Sequence, residues 1–186
     1  DKLKEAPKSW ADFWNVEKFP GKRGLRKGAK YTLEFALLAD GVAPADIYTV
    51  LATPEGVNRA FAKLDQIKPH LVWWEAGAQP PQLLASGDLV MSSAYNGRIA
   101  GARKEGRNLE VVWNGSIYDF DYWAIPKGSP NMEAAYKYIE FASRPAPQAR
   151  FSVEVPYGPT HKAAVGTMDP KVAATLPTAP ANLEGA

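Results

Sequence analysis

Two acids stand two positions apart in "NGSIYDFDYWAIPKG" (114–128): Asp119 and Asp121, alternating with Tyr118, Phe120 and Tyr122. Along an extended strand successive side chains point to opposite faces, so the carboxylates share one face and the aromatics take the other. Such a pair can act as acid and base on a glycosidic bond. It can equally be the solvated side of an edge strand. Same-face neighbours on a strand lie about 6–7 Å apart by strand rise, which does not forbid hydrolysis. Paired catalytic acids, however, usually come from different strands so that they flank the scissile bond.

A second group is Ser92, Ser93, Tyr95, Asn96 and Arg98 in "SSAYNGR". It falls where a strand ends and a helix begins, the edge at which open α/β sheets bind ligands and a helix offers free N–H groups. Glu75, after "LVWW", occupies the equivalent place on another strand. His70 and His161 are the only histidines, and neither lies in a metal-binding pattern. There is no G-x-S-x-G, phosphate-loop or dinucleotide motif. The basic run "GKRGLRKGAK" (21–30) reads as a solvated face.

The elements that must position these groups follow from periodicity. Helices are predicted over 9–19, where Ser9 can cap and Trp10, Phe13 and Trp14 form a stripe, and over 31–39. Thr53 and Pro54 open a helix whose stripe is Val57, Ala60, Phe61 and Leu64. Shorter helices fit 80–87, 96–106 and 147–153, and one from Ser129 carries Met132, Ala135, Tyr136 and Ile139. Strands are predicted at 23–26, 71–74, 88–95, 109–113 and 117–125. Strands alternating with helices make an α/β fold with a mainly parallel sheet.

Composition narrows the function classes. At 186 residues, with 46% hydrophobic and 23% charged residues, the chain is an ordinary globular one. A net charge of +2 gives no footprint for nucleic acid or an anionic membrane. No apolar run nears the ~18–20 residues of a spanning helix. Without cysteine there is no disulfide, thiol catalysis or Cys-ligated zinc. The opening "DKLKEAPKSW" has neither initiator Met nor signal peptide, and "TAPANLEGA" stops in a Pro/Ala-rich stretch, so a fragment or processed piece is expected.

Four segments together resemble the periplasmic solute-binding proteins of ABC importers, in the branch with spermidine and putrescine binders. They are "PKSWADFWNVEKFPGK" (7–22), "SSAYNGRIA" (92–100), "YDFDYWAIPKGSPNMEAAYKYIEFASRP" (118–145) and "VPYGPTHKAA" (155–164), in the family's order. The resemblance implies a type II periplasmic-binding-protein-like α/β fold: a second lobe plus the returning part of the first. It implies that 7–117 form the second lobe and 118–125 an interlobe crossing strand. Residues 126–164 would return to the first lobe, and 165–186 would be a tail rejoining the second. Asp121 matches the acid that holds a ligand ammonium group in polyamine binders. Asp119 stands where those relatives have an aromatic ring, and Tyr95 where Trp is common. Arg98 replaces an acid of the putrescine-binding relative, and Tyr31 closes "GAKY", where spermidine binders carry acids. A guanidinium repels a plain diamine, so a zwitterionic or carboxylate-bearing amine suits this mixture.

The expected function is therefore capture, without catalysis, of a small amine-containing solute, polyamine-like or zwitterionic, by the substrate-binding component of an ABC transporter. The ligand-binding residues are Asp121, Asp119, Tyr95, Asn96, Arg98, Glu75 and Tyr31, with no metal and no cofactor. The partners are the amine ligand and a membrane permease, with no nucleic acid. The location is the periplasm, or outside the membrane on a lipid anchor. Self-association of the piece is expected, because apolar stripes of 126–164 would lack their partners. A hydrolase using the paired aspartates, or a purely structural or regulatory domain, are the alternatives.

Overall fold

The computed structural model describes residue 3 and residues 5–185. It falls into two compact units, one reaching to Ile117 and including Gly185, the other spanning Tyr118–Glu184.

The first unit is built around three parallel strands, β1 (Arg23–Arg26), β2 (Leu71–Trp74) and β3 (Met91–Ser92), in the order β2-β1-β3. Ahead of β1 lies α1 (Trp10–Trp14), where Asp12 N–H donates to Ser9 Oγ at 3.2 Å, as the cap predicts. It is shorter than the expected 9–19: the chain turns at Asn15 and reaches Phe19 through turns. Arg23 fixes those turns. Its fully buried guanidinium donates to the carbonyls of Phe13 (3.0 Å), Gly21 (2.5 Å), Asn15 (3.0 Å) and Phe19. Burial lowers its pKa, and the four acceptors replace the lost water.

Between β1 and β2 run α2 (Thr32–Ala39), α3 (Ile47–Leu51) and α4 (Pro54–Ile67). Thr53 caps α4, accepting from Gly56 N–H at 3.1 Å, with Pro54 in the first turn. The buried line of α4 is Ala60, Leu64 and Ile67, so Phe61, expected to point inward, lies about 100° away and is 53% exposed. These helices cover the sheet face carrying Leu25 and Met91, where Phe13, Phe35, Leu37 and Leu64 complete the core.

α5 (Gln79–Ser86) links β2 to β3 and ends at Gly87, whose φ of 84° is the left-handed cap read from the sequence. α6 (Asn96–Lys104) follows β3. Because β2 and β3 flank β1, right-handed connections place α2–α4 and α5 on opposite faces. Gly24, mid-strand in β1, leaves room for the side chains of Leu89 and Ser92 on the second face.

The second unit contains α7 (Met132–Ala142), α8 (Pro145–Glu154), α9 (Lys162–Val165), α10 (Pro170–Ala173) and α11 (Pro180–Leu183). Leu176, Ala164 and Ser152 are its most buried residues, and Ser152 Oγ donates to Tyr157 O at 2.7 Å. His161 is a helix cap, accepting at Nδ1 from Ala163 N–H. The stripe of α7 is poorly covered: the helix has no buried residue, Ala135 and Ile139 are half-buried, and Tyr136 and Phe141 are 61% and 56% exposed.

Three sequence expectations are corrected. Residues 109–113 and 117–125 form no strand, and the strand expected over 88–95 contracts to Met91–Ser92. A strand exists only where a neighbour completes its ladder, and among the described residues 109–113 and 117–125 take part in no sheet pairing. Side chains 118–124 are all exposed, so alternation there separates no buried face from a wet one. Gly185 groups with the first unit, its carbonyl accepting from Gly115 N–H at 2.5 Å, and 165–184 group with the second.

Candidate functional site

All three strands run parallel, so their carboxyl ends lie at one edge of the first unit, and the β2-β1-β3 order opens a crevice beyond the ends of β1 and β3. At this edge stand four of the expected ligand residues, Glu75, Tyr95, Asn96 and Arg98, with Tyr31 starting α2. Asp119 and Asp121 belong to the second unit.

The strand ends are tied together by the backbone. Lys27 N–H donates to Trp74 O at 2.8 Å, and Ser93 N–H to Gly24 O at 2.9 Å. Glu75 pairs with Lys27, Nζ to Oε1 at 3.0 Å, both side chains being exposed. Such a surface pair contributes about 0–1 kcal/mol and is available for exchange with a ligand's charges. Gln79 Oε1 accepts from Glu75 N–H and Ala76 N–H, each at 2.8 Å, fixing the turn that presents Glu75.

Tyr95 is the N-cap of α6, and its ring meets Trp74 edge-on, centroids 5.8 Å apart at 77°. Gly77 makes this possible: a Cβ there would stand 2.8 Å from Tyr95 Cδ2. Trp74 Nε1 and Ser93 Oγ are buried without a hydrogen-bond partner. Unpaired buried polar atoms cost about 1–3 kcal/mol each, and such costs persist where a ligand or water completes the set.

Tyr31 has a φ of 71°, the one positive value at a non-glycine among the described residues. That conformation costs about 1–3 kcal/mol and gathers at binding sites. Thr32 Oγ1, donating to Arg26 O at 2.8 Å, holds the start of α2 against the end of β1. Lys30 Nζ lies 4.9 Å from the Tyr31 ring centre. Arg98, in the first turn of α6, is exposed and lines a cleft of about 580 Å³ between α5 and α6, with Pro81, Gln82 and Gly101.

In the second unit Asp119 Oδ1 accepts from Phe120 N–H at 2.9 Å, while Asp121 is exposed. Neither acid has the enclosing wall that a hydrolytic pair needs to hold a sugar ring, so the paired-acid hydrolase finds no support. Among the described residues no three His, Asp or Glu side chains converge as a metal site.

Sequence reading placed Ser93 in the strand-end group but missed Trp74, Lys27 and Gly77. The strand-end rule could have marked Trp74 as well; the need for glycine at 77 comes from a packing contact that no local signal reveals.

The family model described as bacterial extracellular solute-binding protein matches residues 1–180. A γ-aminobutyric acid-binding protein of Pseudomonas aeruginosa is 68% identical over 185 residues, covering all of this chain and 53% of that protein. A solved GABA receptor is 40% identical with a TM-score of 0.81, covering 94% of this chain and 53% of that one. A spermidine/putrescine substrate-binding protein from Streptococcus pneumoniae shares the fold alone: 17% identity and a TM-score of 0.73, over 99% of this chain and 56% of that one. The chain thus spans about half the length of the relatives it matches, with their α/β periplasmic-binding-protein-like fold. It belongs to the bacterial extracellular solute-binding protein family.

Proposed function

We propose that the protein is the substrate-binding component of an ABC importer and captures γ-aminobutyric acid or a similar zwitterionic amine. The observation that carries this reading is the mixture of charge among the ligand residues. The sheet edge presents Lys27 with Glu75 and the cation Arg98, while Asp119 and Asp121 supply acids. A ligand with an ammonium group at one end and a carboxylate at the other uses both signs. A diamine leaves the guanidinium opposed to one of its charges. The kinship with GABA-binding relatives supports the same choice, and the polyamine reading has weaker kinship behind it.

In this reading Asp121 takes the ammonium group and Arg98 the carboxylate, the aromatic faces of Tyr95 and Tyr31 covering the methylene chain. Residues 118–125 would run between two lobes, which close on the ligand by hinge motion and present it to a membrane permease. The protein would work in the periplasm or on the outer side of a membrane; among the described residues no helix is long and apolar enough to cross one.

Mass spectrometry of small molecules released from the natively purified, full-length protein tests this. A monoamino carboxylic acid as the principal species is the expected result; a polyamine or a sugar would overturn it.

A further inference from the structure

Besides the fully enclosed Arg23, one arginine among the described residues is partly buried: Arg26. Their situations differ sharply. The Arg23 guanidinium donates to four backbone carbonyls. The Arg26 guanidinium has no carboxylate and no hydrogen-bond acceptor among the described residues. The neighbouring cations are satisfied or solvated: Lys27 pairs with Glu75, Arg59 with Asp40, Arg103 with Glu110, and Arg98 and Arg107 lie exposed. A guanidinium at a strand's carboxyl end that no protein group engages is available to a ligand's carboxylate.

Its position says what the partner is. Arg26 is the last residue of the central strand, in register with Trp74 and on the same face. The last rung between β1 and β3 is Gly24–Ser92, two residues earlier, so beyond it β1 continues with no partner strand on that side. Arg26 therefore stands in the crevice where β1 and β3 diverge, with Trp74 beside it and the Tyr95 ring packed on Trp74. Its carbonyl is pinned by Thr32 Oγ1, which fixes the backbone from which the side chain departs.

We infer that Arg26 is a binding residue, its guanidinium receiving the ligand carboxylate in the crevice between the carboxyl ends of β1 and β3. The assignment rests on the functional reading above and adds a second cation to Arg98. A planar fork meets both oxygens of a carboxylate, which makes Arg26 a determinant of carboxylates against amides and amines.

Calorimetry on the full-length protein with γ-aminobutyric acid and its primary amide, 4-aminobutanamide, tests the assignment. Arg26→Gln should weaken γ-aminobutyric acid about 10- to 100-fold, and the amide about threefold or less. If Arg26→Gln does not fold, Arg26→Lys keeps the charge without the fork and should lose about 3- to 10-fold, again for the acid alone. Unchanged affinity for the acid, or equal losses for acid and amide, overturns the inference while leaving the functional reading intact. Wild-type protein that binds neither compound overturns that reading and this assignment with it.

Discussion

Trp74 closes β2 and holds the ring of Tyr95 edge-on at 5.8 Å, joining the exit of one outer strand to the helix that follows the other. The contact depends on Gly77, where a Cβ would intrude to 2.8 Å from Tyr95. Gly77 has no positive φ, so alanine fits its backbone and the effect of substitution is steric. Gly77→Ala should displace Tyr95 and weaken ligand binding about 3- to 30-fold, the range a lost aromatic–cation contact gives. Affinity and thermal stability of the full-length variant check this; unchanged affinity would remove Tyr95 from the site.

Asp121 and Asp119 should separate under mutation. Asp119 Oδ1 already accepts a backbone bond from Phe120, which ties it to local structure. Asp121→Ala should lose about 2–5 kcal/mol of binding, as expected when one partner of a desolvated ion pair is removed. Asp119→Ala should lose clearly less. Equal effects, or none at Asp121, would reassign the ammonium partner.

Much of the fold was legible in local chemistry. Thr53 and Pro54 announced α4, Gly87 closed α5, and the apolar run of β2 read directly as a strand. Residues 117–125 misled because alternating aromatics and acids signal a strand only when a neighbouring strand accepts the pairing. The shared face argued for Asp119 and Asp121 fell with it. At the sheet edge, Glu75 and Tyr95 could be named from position, but the Lys27 partner and the buried, unpaired Trp74 Nε1 are tertiary facts.

The poorly covered stripe of α7 predicts how the isolated 186-residue chain behaves. On α7, Tyr136 and Phe141 are 61% and 56% exposed, and exposed apolar surface drives association. Sedimentation should show the average mass rising with concentration. A strictly monomeric chain whose amides from 126 to 164 resist hydrogen exchange would contradict this.

Asp40 predicts an acid limit to stability. Arg59 Nε stands 2.6 Å from its carboxylate and Lys63 Nζ 3.5 Å, and the Arg59 hydrogen bond chiefly lowers its pKa. A depressed folded pKa stabilises the fold above the ordinary aspartate value of about 3.9, and the gain is lost as pH falls below it. Asp40→Asn should therefore be less stable than wild type at pH 7 by about 0.5–1 kcal/mol, the difference vanishing toward pH 2. Denaturant unfolding across that range decides it: a difference that persists at pH 2 would make the loss one of packing, not charge.

The central claim is that mixed charge at the sheet edge selects a zwitterion. Its most direct test is calorimetric titration of the full-length protein and of Arg98→Ala with γ-aminobutyric acid and putrescine. The account predicts that wild type binds γ-aminobutyric acid about 100-fold or more tighter than putrescine, about 3 kcal/mol, and that Arg98→Ala narrows the gap by weakening the acid alone. Tighter binding of putrescine by wild type, or a drop in putrescine affinity on removing Arg98, would contradict it.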